Sequence, residues 1–387
     1  MGFRRWQQRT EFAVTEREYS PGLEGIVAGE TAISTLAGGL SYRGYSIEDL
    51  AHHATFEEVA HILLHGDLPT ADELAKFRKR LGTQEVIPPP VLETLRRIPV
   101  KVPMMDVMRT GASLLAHWEN EVADNSHDAN VRKAERLLVQ LPILMAARHR
   151  LLQGKEPVAA DPRRSFAENV LWMLLRTQPT PAMTRAMDVS LILYAEHEFN
   201  ASTFTARVIA STLSDLHSSI CGAIGALKGP LHGGANERVL AILQTVGSAD
   251  KAEAWVMDAL AKKQRIMGFG HRVYKDGDPR AAYVKTMCRE IAAETGHTPM
   301  EDLADKIEEV VWREKKLPPN VDWPTARLYH YFGLAVELYT PLFVVARTAG
   351  WCAHVIEQLD ENRLIRPAAN YTGPGRREWK DISQRAD

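Results

Sequence analysis

The sequence predicts an almost wholly α-helical protein of two domains. Apolar residues recur with the helical period in nearly every segment, whereas alternating runs of β-branched residues are scarce. The chain has 387 residues, more than the roughly 250–300 that a single hydrophobic core usually supports. The sequence contains neither a repeat of fixed period nor a low-complexity linker.

Composition argues against several functional classes. A net charge of −2 gives no basic surface of the kind that nucleic-acid-binding proteins use, and no apolar run approaches the ~18 residues of a membrane span. Cys221, Cys288 and Cys352 lie far apart without a CxxC pair, which is typical of a reducing compartment. The N-terminus lacks the apolar core of a secretory signal. We therefore expect a cytoplasmic protein with no metal, nucleic-acid partner or membrane partner.

The first elements follow from local sequence. A turn-rich segment precedes a short β-like patch at 31–36, and Ser46 is a suitable N-cap with two acidic residues in the first turn behind it. The helix predicted over 56–65 ends at Gly66. Further helices are predicted over 71–81, 90–98, 104–118, 130–152 with a kink or break at Pro142, 166–176, 182–196 and 204–213.

One histidine lies in a glycine-rich segment. His232 stands among three glycines between residues 228 and 237. Glycine permits a positive φ or a close approach of another group, and imidazole exchanges a proton near neutral pH. A surface histidine in a loop explains this segment equally well when it is taken alone. Two other histidines in comparable positions favour a functional role.

These two histidines lie at a helix end and in a loop. His197 stands between two glutamates where an apolar helix ends, and the candidate caps for the next helix are Asn200, Ser202 and Thr203. An ordinary salt bridge is the commoner explanation for such a histidine. His271 lies in a glycine-containing loop that leads to a helix, for which Asp278 is the predicted N-cap and Pro279 the first residue.

The loop around His271 does not fit two familiar binding motifs. Gly268 and Gly270 are not followed by the third glycine of a dinucleotide fingerprint, and Arg280 stands where a calcium loop needs an oxygen ligand. Arg280 instead falls in the first helical turn, where a cation opposes the helix dipole, so an anion partner is expected. Nearby cations form either a solvated face or a phosphate site: Lys262, Lys263, Arg265, Arg272 and Lys275.

An aspartate and two arginines complete the candidate set. Asp322 is either a cap for a helix starting near Pro324 or a general base. Arg347 interrupts a strongly apolar helix, where a guanidinium is costly to bury unless it is paired. Glu357 is one possible partner and a substrate carboxylate is the other. Arg366 precedes a proline, which keeps its backbone extended.

In this order the motifs resemble the citrate synthase family, including its 2-methylcitrate synthase branch. The matching segments are 19–25, 196–203, 229–236, 268–280, 319–322, 346–351, 365–367 and 370–374. The resemblance therefore covers nearly the whole chain.

The resemblance implies an all-α homodimer with a large domain, residues 1–221 and 328–387, and a small domain, residues 222–327. The implied catalytic residues are His232, His271 and Asp322. Oxaloacetate would be held by His197, Asn200, Arg280, Arg347 and Arg366, with Arg366 supplied by the partner subunit. CoA would contact Arg265, Ile266, Met267, Gly268, Phe269, Arg272 and Lys275. No tightly bound cofactor is implied, and the CoA thioester is a co-substrate.

These residue types suit the implied chemistry. Asp322 would take a proton from the methyl group of acetyl-CoA, while His232 donates a hydrogen bond to the thioester oxygen as negative charge develops there. His271 would polarise the ketone of oxaloacetate and protonate the new alkoxide. Arginine side chains bind carboxylates in a planar, bidentate manner. Closure of the two domains would exclude water from the enolate.

The choice of acyl-CoA stays open. Acetyl-CoA and propionyl-CoA differ by one methylene, worth only ~1–3 kcal/mol in an apolar pocket, so a 2-methylcitrate synthase or a bifunctional enzyme is the alternative. Ala368 resembles the methylcitrate branch, whereas Leu231 and the segment 271–275 resemble short bacterial citrate synthases.

We predict a citrate synthase, dimeric because the N-terminal extension of the NADH-regulated hexamers is missing. A non-catalytic helical binding protein is a distant alternative, and a nicotinamide oxidoreductase is disfavoured.

Overall fold

The computed structural model describes residues 19–84, 86–270, 274 and 277–385. They form two compact units, one of residues 31–365 and the other of the terminal segments 19–30 and 366–385. The candidate residues other than Arg366 belong to the first unit. His271, Arg272 and Lys275 lie outside the described residues.

The described part of the chain is mainly helical, which confirms the predicted fold class. Its α-helices are α1 Ile47–His53, α2 Phe56–His65, α3 Ala71–Thr83, α4 Pro89–Arg97, α5 Met104–Ala116, α6 His127–Leu152, α7 Phe166–Leu175, α8 Pro181–Tyr194, α9 Ala201–Ala210, α10 Leu216–Leu227, α11 Ala235–Val246, α12 Ala249–Ala261, α13 Pro279–Thr295, α14 Thr298–Lys315, α15 Asp322–Tyr331 and α16 Tyr339–Asp360. Short 3₁₀ turns occupy Pro21–Leu23, Val336–Leu338 and Ile382–Gln384.

Local capping explains where several helices begin and end. Ser46 accepts a hydrogen bond from Asp49 N and so caps α1, as predicted. Gly66 ends α2 in the left-handed region, with φ 96°. Asp278 caps α13 with Pro279 in the first turn, which is also as predicted.

Two details of the helix predictions differ from the structure. Helix α6 is one continuous helix through Pro142, so it is not split there; it is buried on most sides from Leu137 to His149, and this packing outweighs the lost backbone hydrogen bond. Helix α9 begins at Ala201 rather than at 204. The Asn200 side chain accepts hydrogen bonds from the backbone N–H groups of the first turn, so the helix starts directly after it.

Helix α16 lies in the core. All but a few of its residues are buried, and it packs against α2, α6, α8, α9 and α10. A helix this deeply enclosed is expected to be apolar all round. Instead it carries a polar stripe at helical spacing, formed by Arg347, Trp351, His354 and Gln358. This stripe faces the groups described below.

The β-like patch becomes the edge of a small antiparallel sheet of three two-residue strands. The strands are β1 Ser34–Thr35, β2 Ser41–Tyr42 and β3 Tyr45–Ser46. Ser34 and Tyr42 are direct cross-strand partners. Tyr42 is fully buried, and its hydroxyl lies 3.1 Å from Ile192 O near the end of α8.

Within the described ranges, none of the helices combines the length and the apolar character that crossing a bilayer requires.

Candidate active site

His232 lies in the turn between α10 and α11 and contacts the first turn of α9. Ser202 N–H donates to His232 Nε2 over 3.3 Å, and Ser202 Oγ lies 2.8 Å from the same atom. Because a backbone N–H can only donate, we assign Nε2 as the acceptor from Ser202 N–H and place the ring proton on Nδ1. Trp351 Nε1 donates to Ser202 Oγ over 3.1 Å and so fixes this serine from the α16 side.

The imidazole of His232 is neutral at pH 7. Burial lowers its pKa to about 4, and the positive charge of Arg347 adds to the shift. Gly233, the next residue, is needed for close packing, because a Cβ there would lie 2.3 Å from Leu227 O. The loop therefore presents a neutral N–H donor in a fixed orientation.

Asp322 is the first residue of α15, so the expected helix start near Pro324 is wrong and its carboxylate is not the N-cap. Its Oδ1 accepts a hydrogen bond of 2.7 Å from the hydroxyl of Tyr194, which also lies 2.7 Å from Thr325 Oγ1. Burial raises the pKa of Asp322 to about 6, against the opposing effects of the Tyr194 hydrogen bond and the Arg280 charge. Asp322 is therefore unusually basic for a carboxylate and still mostly ionised at pH 7.

The segment before His271 is bound to the segment that carries Asp322. Asn320 N donates to Gly268 O, and Asn320 Nδ2 donates to Gly270 O, both over 2.9 Å. The rings of Phe269 and Trp323 pack with their centroids 4.6 Å apart. Residues 268–270 and 320–323 therefore hold a fixed relative position.

Arg347 is buried with only part of its hydrogen-bonding capacity used. Its Nε donates to Tyr194 O over 2.6 Å, and its guanidinium carbon lies 4.8 Å from the ring centroid of Phe343. Nη1 is buried without a hydrogen-bond partner in the described part of the chain. Of the two possible partners, Glu357 is ruled out in this structure, because it binds Arg207 Nη1 over 2.6 Å. Ten residues along a helix span ~15 Å, too far for an internal pair.

Arg280 has a carboxylate partner of its own. Its Nε and Nη2 each lie 2.9 Å from an oxygen of Asp278, so the pair is bidentate. Both side chains are buried. The second oxygen of Asp278 also accepts a hydrogen bond of 3.0 Å from Val321 N. The anion expected near Arg280 is, in this structure, Asp278.

His197 and Asn200 follow the end of α8. His197 Nε2 lies 3.2 Å from the hydroxyl of Tyr274, whose ring centroid is 5.7 Å from the guanidinium carbon of Arg280. The Asn200 amide is used locally: its oxygen accepts from two backbone N–H groups of α9, and its nitrogen donates to Thr203 Oγ1 over 2.9 Å. Asn200 therefore shapes the turn that carries His197.

These groups share one electrostatic environment. The charge of Arg347 contributes to the pKa shifts of both His232 and Asp322, and the charge of Arg280 contributes to that of Asp322. His197 joins this group through Tyr274. The structure thus brings His232, Asp322, Arg280, Arg347 and His197 together.

The remaining described candidates differ in exposure. Arg366 is exposed in the terminal unit. In the predicted CoA segment Arg265 is exposed, Met267 is half-buried, and Ile266, Gly268 and Phe269 are buried. Lys262, from the nearby cationic cluster, pairs with Asp258 over 2.7 Å.

Sequence reasoning missed the side chains that hold these groups in place. Tyr194 orients Asp322, Trp351 supports Ser202, and Asp278 neutralises Arg280. Tyrosine and tryptophan in strongly apolar helices were the available indication, because a buried O–H or N–H needs a partner. Their partners could not be named, since these lie far away in the sequence.

Comparisons with known proteins show which family the chain resembles in sequence and fold. The family model described as "Citrate synthase, C-terminal domain" matches residues 22–368. "Citrate synthase 2" of Bacillus subtilis is 45% identical over 369 residues, 94% of this chain and 99% of that protein. "2-methylcitrate synthase" of Shewanella oneidensis is 44% identical over 370 residues, 94% and 97% of the two chains. The citrate synthase of Thermoplasma acidophilum, solved as a ternary complex with carboxymethyl coenzyme A and oxaloacetate, superposes with a TM-score of 0.89 at 33% identity, covering 95% of this chain and all (100%) of that chain.

Proposed function

The chain belongs to the citrate synthase family, and we propose that it condenses acetyl-CoA with oxaloacetate and hydrolyses the product thioester to citrate and CoA. The observation that carries this proposal is the combination around Arg347: a neutral imidazole donor at His232 and a basic carboxylate at Asp322. Deprotonation next to a thioester needs a base together with a donor at the oxygen where charge develops.

Asp322 is the base in this mechanism. Its pKa of about 6 leaves it ionised at pH 7 and makes it a better proton acceptor than an ordinary aspartate. The Tyr194 hydroxyl holds one carboxylate oxygen over 2.7 Å, so the other oxygen is available to the methyl group of acetyl-CoA. Asp322 is the first residue of helix α15, and the partial positive charge at the helix N-terminus stabilises its ionised form before the substrate binds.

His232 donates to the thioester oxygen. Its Nε2 is occupied by Ser202, so the proton on Nδ1 is the one directed to a ligand. The neutral imidazole of His232 stabilises the developing enolate through this hydrogen bond and keeps its proton. His271 is proposed to polarise the ketone and protonate the alkoxide, on the basis of the family resemblance alone.

The dicarboxylate substrate is assigned to the cationic groups. Arg347 is the strongest candidate because its buried Nη1 has no partner among the described residues, and a carboxylate would supply one. His197, Asn200 and Arg280 contribute from the same unit, and Arg366 of the partner subunit would complete the clamp in a homodimer. CoA is assigned to Arg265–Phe269 with Arg272 and Lys275.

The domain and location proposals rest on the family resemblance and the sequence. We propose a small domain of residues 222–327 that closes on a large domain of residues 1–221 and 328–387. A cytoplasmic location is proposed because the three cysteines are free thiols.

The direct test is release of CoA from acetyl-CoA and oxaloacetate, followed with a thiol reagent. We expect turnover by the wild type and loss of at least about 10²-fold in kcat for His232→Ala and Asp322→Ala, the usual scale for a general base or an oxyanion donor. Ser219→Ala is the matched control, since this buried serine bonds to the Asp215 carbonyl at the start of its own helix. Absence of CoA release by the wild type would favour the non-catalytic alternative.

A second candidate is 2-methylcitrate synthase, favoured by the 44% identity to the Shewanella protein. An apolar acyl pocket separates the two substrates by only ~1–3 kcal/mol, so partial activity with both is expected. Comparing kcat/KM for acetyl-CoA and propionyl-CoA decides between them. A higher value for propionyl-CoA would reverse the assignment.

A further inference from the structure

The small sheet holds the turn that carries His197. Ser34 Oγ donates to Glu196 Oε1 over 3.0 Å and accepts from Glu198 N–H over 3.0 Å. Tyr42, its cross-strand partner, has its hydroxyl 3.0 Å from Glu196 O and accepts from Glu196 N–H over 3.3 Å. Two side chains from neighbouring strands therefore fix the residues on either side of His197.

The turn needs this support because its backbone is strained. Glu198 has φ 54°, a left-handed conformation that is unfavourable for a residue with a Cβ. Such a conformation persists only where surrounding contacts impose it. The hydrogen bond from Glu198 N–H to Ser34 Oγ is one of these contacts.

A chain of buried polar groups extends from Glu196 to α16 and α9. His354 Nε2 lies 2.9 Å from Glu196 Oε1, and His354 Nδ1 lies 2.9 Å from Arg207 Nη1. A guanidinium can only donate, so Nδ1 accepts and Nε2–H is the donor to Glu196. Glu196 and His354 are both fully buried.

The same network of polar groups returns to the segment just before strand β1. Arg207 Nη1 donates to Glu357 Oε2 over 2.6 Å, and Glu357 Oε1 accepts from Ala32 N–H over 2.8 Å. Ala32 precedes Ser34 by two residues. The network therefore binds the segment 32–34 at two points, through Ala32 and through Ser34. The position of this segment then depends on every residue of the network.

Space for the Glu196 carboxylate is built into α16. A Cβ at Gly350 would lie 2.2 Å from Glu196 Oε2 and 2.4 Å from Ala195 O. Burial alone would raise the pKa of Glu196, but His354, Arg347 and Ser34 together lower it below its ordinary value. The carboxylate is therefore ionised, and its charge offsets that of Arg347.

We propose that Ser34, Tyr42, Glu196 and His354 are positioning residues that set the affinity for oxaloacetate by fixing His197. They act through the strained turn and not by touching the substrate. This inference rests on the proposed function, in which His197 binds oxaloacetate. The function of the small sheet is then to hold the turn that carries His197.

The central experiment is steady-state kinetics of Ser34→Ala. The variant loses both hydrogen bonds of the hydroxyl, so the turn relaxes away from its strained form. We expect KM for oxaloacetate to rise about tenfold, the scale of one net hydrogen bond. The kcat and the KM for acetyl-CoA should stay within about twofold. Oxaloacetate binding weakens equally in the ground state and in the transition state, and such a uniform loss raises KM without lowering kcat.

Three comparisons make the result specific. Ser34→Thr keeps the hydroxyl and should restore the wild-type KM. Ser219→Ala removes a buried hydroxyl elsewhere in the molecule and should change neither KM. His354→Ala removes the second donor to Glu196 and should raise KM for oxaloacetate in the same selective way.

The outcomes separate this inference from the proposed function. Wild-type enzyme without CoA release would overturn the proposed function. An active wild type with an unchanged oxaloacetate KM in Ser34→Ala would overturn the positioning role alone. Parallel losses of kcat, both KM values and thermal stability would also overturn it, because they indicate general destabilisation. Calorimetric titration of oxaloacetate into each variant should reproduce the KM order.

Discussion

The two buried arginines of the candidate site, Arg280 at the start of α13 and Arg347 in the middle of α16, are neutralised in different ways. Arg280 holds its own carboxylate, Asp278, in a bidentate pair with both distances at 2.9 Å. Arg347 has a backbone carbonyl, an aromatic ring and an Nη1 without a partner among the described residues. The guanidinium of Arg280 is paired within the protein, whereas that of Arg347 keeps one buried N–H group without a partner among the described residues, where the proposed substrate carboxylate would bind.

The pKa values of the two groups carry the same contrast. Burial lowers the pKa of both guanidinium groups. For Arg280 the attraction of Asp278 outweighs burial, and the pKa is raised. For Arg347 burial dominates over the charge of Glu196, and the pKa is lowered. The protein therefore keeps an expensive buried cation at Arg347 without fully pairing it, as expected where a substrate carboxylate provides the missing partner.

Replacing each arginine by methionine should give the largest effects on activity and unequal effects on stability. Arg347→Met is expected to lower kcat/KM for oxaloacetate by roughly 10²–10³-fold, as for loss of a buried charge partner, with a smaller loss of stability than Arg280→Met. Arg280→Met should lose activity and also about 3–5 kcal/mol of stability, because Asp278 is left buried and unpaired. Urea denaturation and steady-state kinetics of both variants make the measurement.

The double variant Asp278→Leu with Arg280→Met is the control for this contrast. Removing both charges should recover part of the stability lost in Arg280→Met, since no unpaired charge remains. Recovery should be incomplete because Val321 N–H loses its acceptor. Equal destabilisation by Arg347→Met and Arg280→Met would contradict the distinction between a satisfied and an open arginine.

A smaller effect should follow from filling the space next to the Glu196 carboxylate, whose charge offsets that of Arg347. In Gly350→Ala the new methyl group would meet Glu196 Oε2 and the Ala195 carbonyl at 2.2 and 2.4 Å. We expect a loss of about 1–3 kcal/mol, the usual cost of overpacking, together with a raised KM for oxaloacetate. Thermal unfolding and kinetics measure the two parts.

Gly225→Ala provides the matched control for Gly350→Ala. This glycine also lies within a helix, α10, but the atom nearest to the methyl group of an alanine there would be Arg109 Cδ at 4.0 Å. The substitution should be neutral or stabilising by up to about 1 kcal/mol, because alanine favours helix more than glycine does. A Gly350→Ala variant as stable as Gly225→Ala would show that Glu196 can move without cost.

A structural feature can be predicted from the sequence when the residues that determine it are close together along the chain. The helices and several of their ends were predicted because caps such as Ser46 and Asp278 act within a few residues. The start of α9 was misplaced by three residues, since it depends on which of several polar side chains does the capping. The order of motifs identified the candidate residues that this structure brings together.

The partners of those residues could not be predicted in the same way. Glu357 was the nearest carboxylate in the sequence of α16, yet Arg347 binds the Tyr194 carbonyl, 153 residues away. Ser34 and Glu196 are 162 residues apart. The pKa shifts of His232 and Asp322 are caused mainly by burial, which exists only after the helices have packed.

The smallest predicted effect concerns Tyr194, which touches the open arginine through its carbonyl and Asp322 through its hydroxyl. Asp322 has a pKa of about 6, so kcat/KM of the wild type should fall below that pH as the base is protonated. Tyr194→Phe removes a donor to the ionised form, which raises the pKa further. The acidic limb should therefore move to higher pH by about one unit, the equivalent of a hydrogen bond to a charged group.

The control for this shift is Tyr329→Phe, because Tyr329 is equally buried but its hydroxyl donates to Ser190 Oγ over 3.3 Å. Its pH profile should match that of the wild type. Since the folded pKa of Asp322 lies above the ordinary value of 3.8, stability should decline as pH rises from about 4 to 6, and more so in Tyr194→Phe. An acidic limb that stays in place in Tyr194→Phe would mean that Asp322 is not the base whose ionisation limits turnover.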